Sequence, residues 1–444
     1  MSNKIYPIGI QNFEKIRNDG YFYIDKTALM YQMVKTGSYY FLSRPRRFGK
    51  SLLISTLEAY FQGKKELFEG LAVEKLEKDW IKHPILHLDL NIEKYDTPES
   101  LDKILNDNLE YWESQYGTRP SETSFSLRFA GIIQRACEKT GQRVVILVDE
   151  YDKPMLQAIG NEELQKQFRN TLKPFYGALK TKDGYIKFAL LTGVTKFGKV
   201  SVFSDLNNLD DISMWNEYVE ICGVSEREIH ENLEAELHEF AAARGITYDK
   251  LCEDLRECYD GYHFTHNSIG MYNPFSLLNA FKRKEFGSYW FETGTPTYLV
   301  KLLKKHHYDL ERMAHEETDV QVLNSIDSES TNPIPVIYQS GYLTIKGYDE
   351  EFGMYRLGFP NREVEEGFIR FLLPFYANVN KVESPFEIQK FVREVRSGDY
   401  NSFFRRLQSF FADTTYEVIR DQELHYENVL FIVFKVLGFY TKVE

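Results

Sequence analysis

Two short segments in the first half of the chain constrain its fold more than any other feature. Residues 43–51 read Ser-Arg-Pro-Arg-Arg-Phe-Gly-Lys-Ser, and residues 144–150 read Val-Val-Ile-Leu-Val-Asp-Glu. The first segment offers backbone amides, an ammonium group and a hydroxyl, which together can bind phosphates and a magnesium ion. The second is an apolar strand that ends in two carboxylates, which can hold the metal and activate water. The pair therefore predicts an ATP site.

The apolar runs around these segments predict an α/β fold with a parallel sheet. A helical face at residues 53–61 follows the Gly-Lys-Ser loop, and Gly63 is expected to end that helix. One predicted strand lies between the two motifs along the chain, which fits the branch of phosphate-loop ATPases with an extra central strand and a glutamate base. The predicted strands cover residues 39–43, 84–91, 144–148 and 186–192.

Five residues receive individual roles at the predicted site. Lys50 is expected to reach the β- and γ-phosphates, and Ser51 to bind magnesium. Asp149 is expected to bind the same ion, and Glu150 to act as the general base that polarises the attacking water. Thr192, at the end of the fourth strand, is placed to sense the γ-phosphate. We count Glu150, Lys50 and Thr192 as catalytic candidates.

The phosphate loop departs from the usual pattern at its first position. The pattern G-x-x-x-x-G-K-[ST] asks for glycine where this chain has Arg44, and arginine does not cheaply adopt a glycine-only backbone conformation. The loop is therefore expected to be wider or differently wound. Arg46 and Arg47 could contact phosphate, a neighbouring subunit or solvent. Nucleotide binding is predicted for Arg44, Pro45, Arg46, Arg47, Phe48, Gly49, Lys50, Ser51 and Leu52.

Composition limits the class of protein. The 444 residues suffice for two or three domains, and a hydrophobic fraction of 43% with 15% aromatic residues argues against disorder. A net charge of -12 gives no overall attraction to nucleic acid, although a local basic patch could still provide one. The most apolar stretch, at residues 429–440, is interrupted by Lys435. These features, with four cysteines, predict a cytoplasmic protein without a membrane partner.

The remainder of the chain predicts a different organisation. Helices rich in Glu and Leu follow residue 225, for example at residues 226–242, and residues 324–335 read as a loop. Residues 336–346 and 354–359 resemble the two strands of a small wing. From Arg362 onward helices are expected again, and the last presents Leu430, Val433, Phe434 and Leu437 on one face before Gly438.

Several strings resemble one family, the bacterial AAA-ATPase-like proteins that usually carry a C-terminal PD-(D/E)XK nuclease-like domain. In the first half the matching strings are at residues 23–27, 44–51, 148–152 and 191–197. In the second half they are at residues 259–264, 272–276, 293–297, 341–344 and 358–361. The resemblance covers nearly the whole chain, and it implies that arginine is normal at position 44.

The resemblance implies three regions. We expect a P-loop ATPase domain of the AAA/ASCE type at residues 1–215 and a helical and winged-helix-like region at residues 216–360. A helical connector and an incomplete nuclease-like part are expected at residues 361–444. The family's aspartate and Glu-x-Lys should follow a strand that begins near residue 439, and the chain supplies neither. We therefore expect no nuclease activity from this chain.

Other residue groups are weaker candidates. Cys252, Cys258, His263 and His266 have poor spacing for a zinc site, because five residues separate the cysteines and only two the histidines. His263 could report on the phosphates or simply pack in the fold. The apolar residues Tyr6, Pro7, Ile8, Phe22 and Tyr23 could line an adenine pocket or belong to the core.

The prediction for function is a magnesium-dependent ATP hydrolase whose cofactors are ATP and Mg²⁺. Hydrolysis would switch or drive an attached module. The alternative is a slow or non-hydrolysing ATP-switched module that recognises DNA or a protein partner. A homo-oligomer is compatible with either hypothesis.

Overall fold

The computed structural model describes most of the chain. The described residues are 4–196, 208–292, 297–324, 326, 332–377, 383–412 and 422–439. Phe197, most of the string at residues 293–297, residues 325 and 327–331 of the predicted loop, and the end of the strand expected after residue 439 lie outside them. The strands and helices are numbered in chain order.

The N-terminal half is built on a parallel five-stranded sheet with the order β2-β3-β4-β1-β5. The four predicted strands are confirmed with small shifts at their ends, and the short fifth strand was not predicted. The strand that separates the two motif strands in the sheet is β4, whereas β2, which lies between the motifs along the chain, is at the sheet edge. The strands are β1 Tyr39–Ser43, β2 Ile85–Asp89, β3 Val144–Asp149, β4 Ile186–Gly193 and β5 Asp210–Asp211.

Eight α-helices within residues 4–196 accompany this sheet. The helix after the phosphate loop runs from Lys50 to Phe61, and Gly63 follows it with a φ of 71°, close to the predicted end. The strands β1, β3 and β4 are almost entirely buried, and for β3 the unbroken apolar run at residues 144–148 predicted this. The helices are α1 Phe13–Asn18, α2 Thr27–Thr36, α3 Lys50–Phe61, α4 Ala72–Leu76, α5 Pro98–Tyr116, α6 Phe125–Thr140, α7 Lys153–Gln157 and α8 Glu162–Thr181.

A helical segment with its own hydrophobic cluster follows the sheet. Its first helix begins with a capping box in which Ser225 and Glu228 bind each other's backbone amides. A short antiparallel strand pair, β6 Val224–Ser225 and β7 Met271–Tyr272, ties the start of the segment to its middle. The helices are α9 Glu226–Arg244, α10 Tyr248–Tyr259, α11 Pro274–Arg283 and α12 Tyr289–Glu292.

The next region combines helices with a three-stranded antiparallel sheet of order β8-β10-β9. The first wing strand was predicted from residue 336, but residues 334–339 are helical and the strand begins at Thr344. The β-branched run there is buried against the rest of the molecule, and this packing overrides local strand propensity. The elements are α13 Thr297–Lys305, β8 Glu317–Asp319, α14 Val320–Asn324, α15 Ile334–Gln339, β9 Thr344–Asp349 and β10 Met354–Gly358.

Four helices complete the described part of the chain. Residues of the last helix belong to the same continuous hydrophobic cluster as the parallel sheet, and this helix itself packs on α16 and α17. Phe434 was predicted on the buried face but is 56% exposed, because the buried stripe is formed by Val429, Ile432, Val433, Val436 and Leu437. The helices are α16 Arg362–Tyr376, α17 Ser384–Ser397, α18 Tyr400–Ala412 and α19 Gln422–Gly438.

Short 3-10 helices connect several of these elements. They cover Lys65–Phe68, Asp183–Tyr185, Ile212–Met214, Asn216–Ile221 and Glu311–His315. Across the described ranges, none of the helices combines the length and the apolar character needed to cross a membrane.

Candidate nucleotide-binding site

The phosphate loop connects the buried end of β1 to the first turn of α3. Two of its residues have left-handed backbones, Arg47 with a φ of 66° and Gly49 with a φ of 99°. Left-handed residues within such a turn gather backbone N–H groups into an anion-binding concavity, and the N-terminus of α3 adds its positive dipole end. The glycine-only conformation that the generic pattern suggests for position 44 occurs at positions 47 and 49 instead.

Lys50 folds its side chain back over the loop. Its Nζ donates hydrogen bonds to the carbonyl oxygens of Arg44 at 3.0 Å and Pro45 at 3.2 Å, and the residue is 4% exposed. Ser51 follows in the first turn of α3. The ammonium group is therefore held inside the loop by the carbonyl oxygens of two loop residues.

Asp149 ends β3 and is held by two donors. Thr192 Oγ1 donates to Asp149 Oδ1 at 2.6 Å, and the backbone N–H of Glu150 donates to the same oxygen at 3.0 Å. Thr192 is 0% exposed. The sequence placed Thr192 at the γ-phosphate, whereas the structure places its hydroxyl behind Asp149, on the neighbouring strand β4.

Glu150 has a left-handed backbone with a φ of 54°, unusual for a residue with a side chain. The two residues after it anchor this turn to the end of β4. Asp152 is fully buried and accepts the backbone N–H of Thr195 at 2.6 Å, and Tyr151 Oη donates to the Thr195 carbonyl oxygen at 2.7 Å. Burial and the nearby Glu150 carboxylate raise the pKa of Asp152 to about 6. The strained turn is thus fixed by buried contacts.

The loop and Glu150 meet in one open cleft of about 380 Å³, whereas Asp149 and Thr192 are not among the residues that line it. Its walls include the loop, the end of β3, residues 7–11 and the start of α11. The sequence-predicted residues that line it are Arg46, Arg47, Gly49, Lys50, Ser51, Leu52 and Glu150. The strand order explains this meeting, since β1 and β3 are separated by β4 alone and their carboxyl ends lie at one edge of the sheet.

Sequence reasoning missed Lys153 and Asn91 in this cleft. Lys153 Nζ donates to the Asn91 carbonyl oxygen at 2.6 Å and to its side-chain Oδ1 at 2.7 Å. Burial lowers the pKa of Lys153, and the carboxylates of Glu150 and Asp89 act in the opposite direction. The only sequence signal was position, because both residues closely follow the carboxyl ends of β2 and β3.

A smaller apolar cavity of about 110 Å³ adjoins the cleft. Phe22, Tyr23 and Pro7 line it together with Phe48 and Leu52 of the loop segment. Three of the five residues suggested for an adenine pocket are therefore here. Ile8 lines the larger cleft, and Tyr6 packs against Phe22 and Phe281.

The Arg44 side chain points away from the cleft. Its guanidinium donates to the carbonyl oxygens of Ser43, Ser213 and Tyr218 at 2.8 to 3.1 Å, and its carbon Cζ lies 3.9 Å from the centre of the Phe264 ring. Burial lowers the pKa of this guanidinium to about 10. Arg44 can contribute only its backbone to the cleft, where its carbonyl oxygen holds Lys50.

The four residues considered for zinc are used in other contacts. Cys252 and Cys258 of α10 pack in the helical hydrophobic cluster. His263 Nδ1 lies 2.9 Å from the Ser268 carbonyl oxygen, and the His266 ring packs on Tyr348 with centroids 4.5 Å apart. Among the residues that the structure describes, no group of three or more His, Cys, Asp or Glu side chains has the arrangement of a metal site.

The geometry can be compared with known proteins. A family model described as "Predicted AAA-ATPase" matches residues 7–203, which include the loop, β3 and β4. The Azotobacter chroococcum mcd 1 protein named "Uncharacterized protein in vnfD 5'region" is 35% identical over 458 residues, covering 100% of this chain and 85% of its own length. Among solved structures, the Aeropyrum pernix ORC2 protein (ADPNP-ADP complexes) matches 81% of this chain and 92% of its own.

That structural likeness, with 10% sequence identity and a TM-score of 0.30, is too distant to carry an argument. The sequence relationship is much stronger, because it extends over the whole chain. The family model adds that the matched part contains the phosphate loop and the strand with Asp149 and Glu150. The chain belongs to the family of predicted AAA-ATPases.

Proposed function

We propose that this chain binds ATP with magnesium in the cleft at the phosphate loop and hydrolyses it. The observation that carries the proposal is that Lys50, Ser51 and Glu150 line one cleft at the carboxyl edge of a parallel sheet, where Asp149 ends β3. Each supplies a different requirement of phosphoryl transfer: a cation, a hydroxyl ligand, a carboxylate ligand and a base. The family relationship supports nucleotide binding at this place.

Three side chains at the cleft would have separate roles in the reaction. When phosphate enters the loop, Lys50 exchanges the carbonyl oxygens of Arg44 and Pro45 for phosphate oxygens, which bind an ammonium more strongly. Glu150 orients the attacking water and accepts its proton. Thr192 keeps Asp149 in one rotamer, so we assign it the positioning of that carboxylate.

The donor set fits a magnesium ion. The hydroxyl of Ser51 in the cleft and the carboxylate of Asp149 at the end of β3 are the hard oxygen ligands that magnesium prefers, and the residues that line the cleft include no His, Cys or Met. Magnesium, when bound there, would neutralise the charge that develops on the phosphate oxygens. The adjoining apolar cavity, with Phe22 and Tyr23, is the site we assign to the adenine ring.

The test is binding of an ATP analogue that resists hydrolysis to purified wild type and to Lys50→Ala. We expect Lys50→Ala to bind the analogue at least about 100-fold more weakly than wild type, because no other cationic side chain of the cleft occupies the position of the Lys50 ammonium group. Lys166→Ala, an exposed lysine on α8, is the control and should bind as wild type does. Equal affinity of wild type and Lys50→Ala would contradict the proposal.

A second candidate, an ATP-switched module that recognises a partner, is favoured by the region after residue 297. The order α13, β8, α14, α15, β9, β10, with the sheet order β8-β10-β9, supports a winged-helix arrangement. The helix at the recognition position, α15, is turned inward, and the β9–β10 turn carries Asp349, Glu350 and Glu351. We therefore propose a protein rather than DNA as the partner of this face.

A further inference from the structure

The outer side of the phosphate loop is held by residues from the second half of the chain. Trp290 Nε1 donates to the Arg46 carbonyl oxygen at 3.0 Å, and Asn273 Nδ2 donates to the same oxygen at 3.3 Å. The backbone N–H of Gly223 donates to the Phe48 carbonyl oxygen at 3.0 Å. Trp290 is 4% exposed and Asn273 is 1% exposed, so solvent does not replace these bonds easily.

These bonds set the direction of the loop amides. In a planar trans peptide the C=O and the following N–H point in opposite directions. Fixing the carbonyl groups of Arg46 and Phe48 from outside therefore turns the amides of Arg47 and Gly49 away from the holding residues. These are the two residues with left-handed backbones. The contacts from the second half thus stabilise the strained geometry on which the anion-binding concavity depends.

Aromatic packing reinforces the hydrogen bonds. The Phe48 ring lies edge-on to Tyr262 and Phe264, with centroids 4.8 and 5.5 Å away. Gly223 leaves room for it, because a Cβ there would lie 3.2 Å from the Phe48 ring. We call Trp290, Asn273, Gly223, Tyr262 and Phe264 the loop clamp.

Trp290 joins the clamp to more distant elements. Its backbone N–H donates to Glu363 Oε1 of α16 at 2.7 Å, and its ring packs on Tyr342 with centroids 5.2 Å apart. The side chain of Trp290 therefore contacts the phosphate loop and the segment before β9, and its backbone contacts the first helix of the C-terminal part.

We propose that Trp290 is a positioning residue for the phosphate loop, through which nucleotide binding is coupled to the packing of the second half of the chain. This inference rests on the proposed ATP site. Because coupling between two events is reciprocal, a nucleotide that favours the clamped loop must also strengthen the clamp. Trp290 lines neither the cleft nor the adjoining apolar cavity, so it acts through the Arg46–Arg47 peptide.

The experiment compares Trp290→Phe with Trp112→Phe. The first removes the N–H donor and keeps an aromatic ring, and the second alters an equally buried tryptophan of α5 that lines neither cavity. We expect Trp290→Phe to raise the Kd of the non-hydrolysable ATP analogue and the KM about fivefold, as for one lost hydrogen bond, while kcat at saturation stays within about twofold. Trp112→Phe should keep the wild-type Kd.

Equal Kd values for the two variants would overturn the coupling. If Trp290→Phe does not unfold cooperatively, hydrogen–deuterium exchange on wild type decides: the analogue should slow exchange at residues 271–276 and 288–292 as well as in the loop. Protection confined to the loop would overturn the inference. If wild type binds no nucleotide, the proposed function itself is overturned. If wild type binds nucleotide and Trp290→Phe binds it equally well, only the coupling is overturned.

Discussion

Arg44 shows at the residue scale how this phosphate loop differs from the generic pattern. Its guanidinium satisfies three backbone carbonyl groups, and the Phe264 ring covers it. A glycine at this position would leave those carbonyl oxygens without a donor in a buried place, which is costly. The arginine therefore stabilises the junction between β1, the 3-10 helices after β5 and the Phe264 segment.

Gly341 gives a residue-scale prediction about the same loop. It has a φ of 88°, and a Cβ there would lie 2.6 Å from Pro45 Cβ. We expect Gly341→Ala to lower the free energy of unfolding by about 2 to 4 kcal/mol, because a clash adds to the cost of a left-handed alanine. Urea denaturation of the purified variant measures this loss.

Gly398 is the matched control. It has a φ of 72° after α17, and nothing lies within 4 Å of the Cβ that alanine would add. Gly398→Ala should therefore cost only about 1 kcal/mol, the backbone part of the penalty. An equal loss in both variants would show that the contact between Gly341 and Pro45 does not restrain the loop.

At the scale of elements, the sequence predicts best where one local signal dominates. The β1–loop–α3 unit and β3 follow from short apolar runs and the residues between them, and both are confirmed. The strand predicted at residues 336–346 was wrong in part. Val336 and Ile337 have strand propensity, yet they are buried as part of helix α15. Such packing is decided by distant residues, for example Lys196, whose backbone N–H donates to Gln339 Oε1 at 2.6 Å.

The inward orientation of α15 carries an element-scale prediction about DNA. Ile334, Val336, Ile337 and Gln339 are each at most 5% exposed, so this helix presents few groups to a DNA groove. The acidic β9–β10 turn would also repel phosphates. We expect duplex DNA to change the steady-state rate of ATP hydrolysis by less than roughly twofold at low salt. Several-fold stimulation that disappears at high salt would contradict this prediction.

At the scale of the whole molecule, one hydrophobic cluster joins the parallel sheet to the helices at the C-terminal side. Leu42 of β1, Leu343 and Val433 of α19 belong to this same cluster, whereas α9, α10 and α11 enclose a smaller one of their own. The boundaries expected at residues 215 and 360 stay predictions. The larger cluster runs from the parallel sheet through residues around Leu343 to the last helix without a break.

The fold of the whole molecule also explains which residues of the site could be predicted from the sequence. Lys50, Ser51, Asp149 and Glu150 were found because each lies within a short motif of its own. The loop clamp was not found from the sequence. Trp290 and Asn273 follow Arg46 by more than half the length of the chain, and the fold brings them together. Family-like strings at residues 259–264 and 272–276 marked the segments without showing their contacts.

The proposed ATP hydrolysis requires that Glu150 acts as a base in a cleft that binds ATP. The most direct measurement follows binding of ATP and its hydrolysis in parallel for wild type, Glu150→Gln and the exposed α8 control Glu163→Gln. Glu150→Gln should bind within about twofold of wild type and lose at least about 100-fold in kcat, and Glu163→Gln should match wild type in both. Hydrolysis by Glu150→Gln at the wild-type rate would contradict the account.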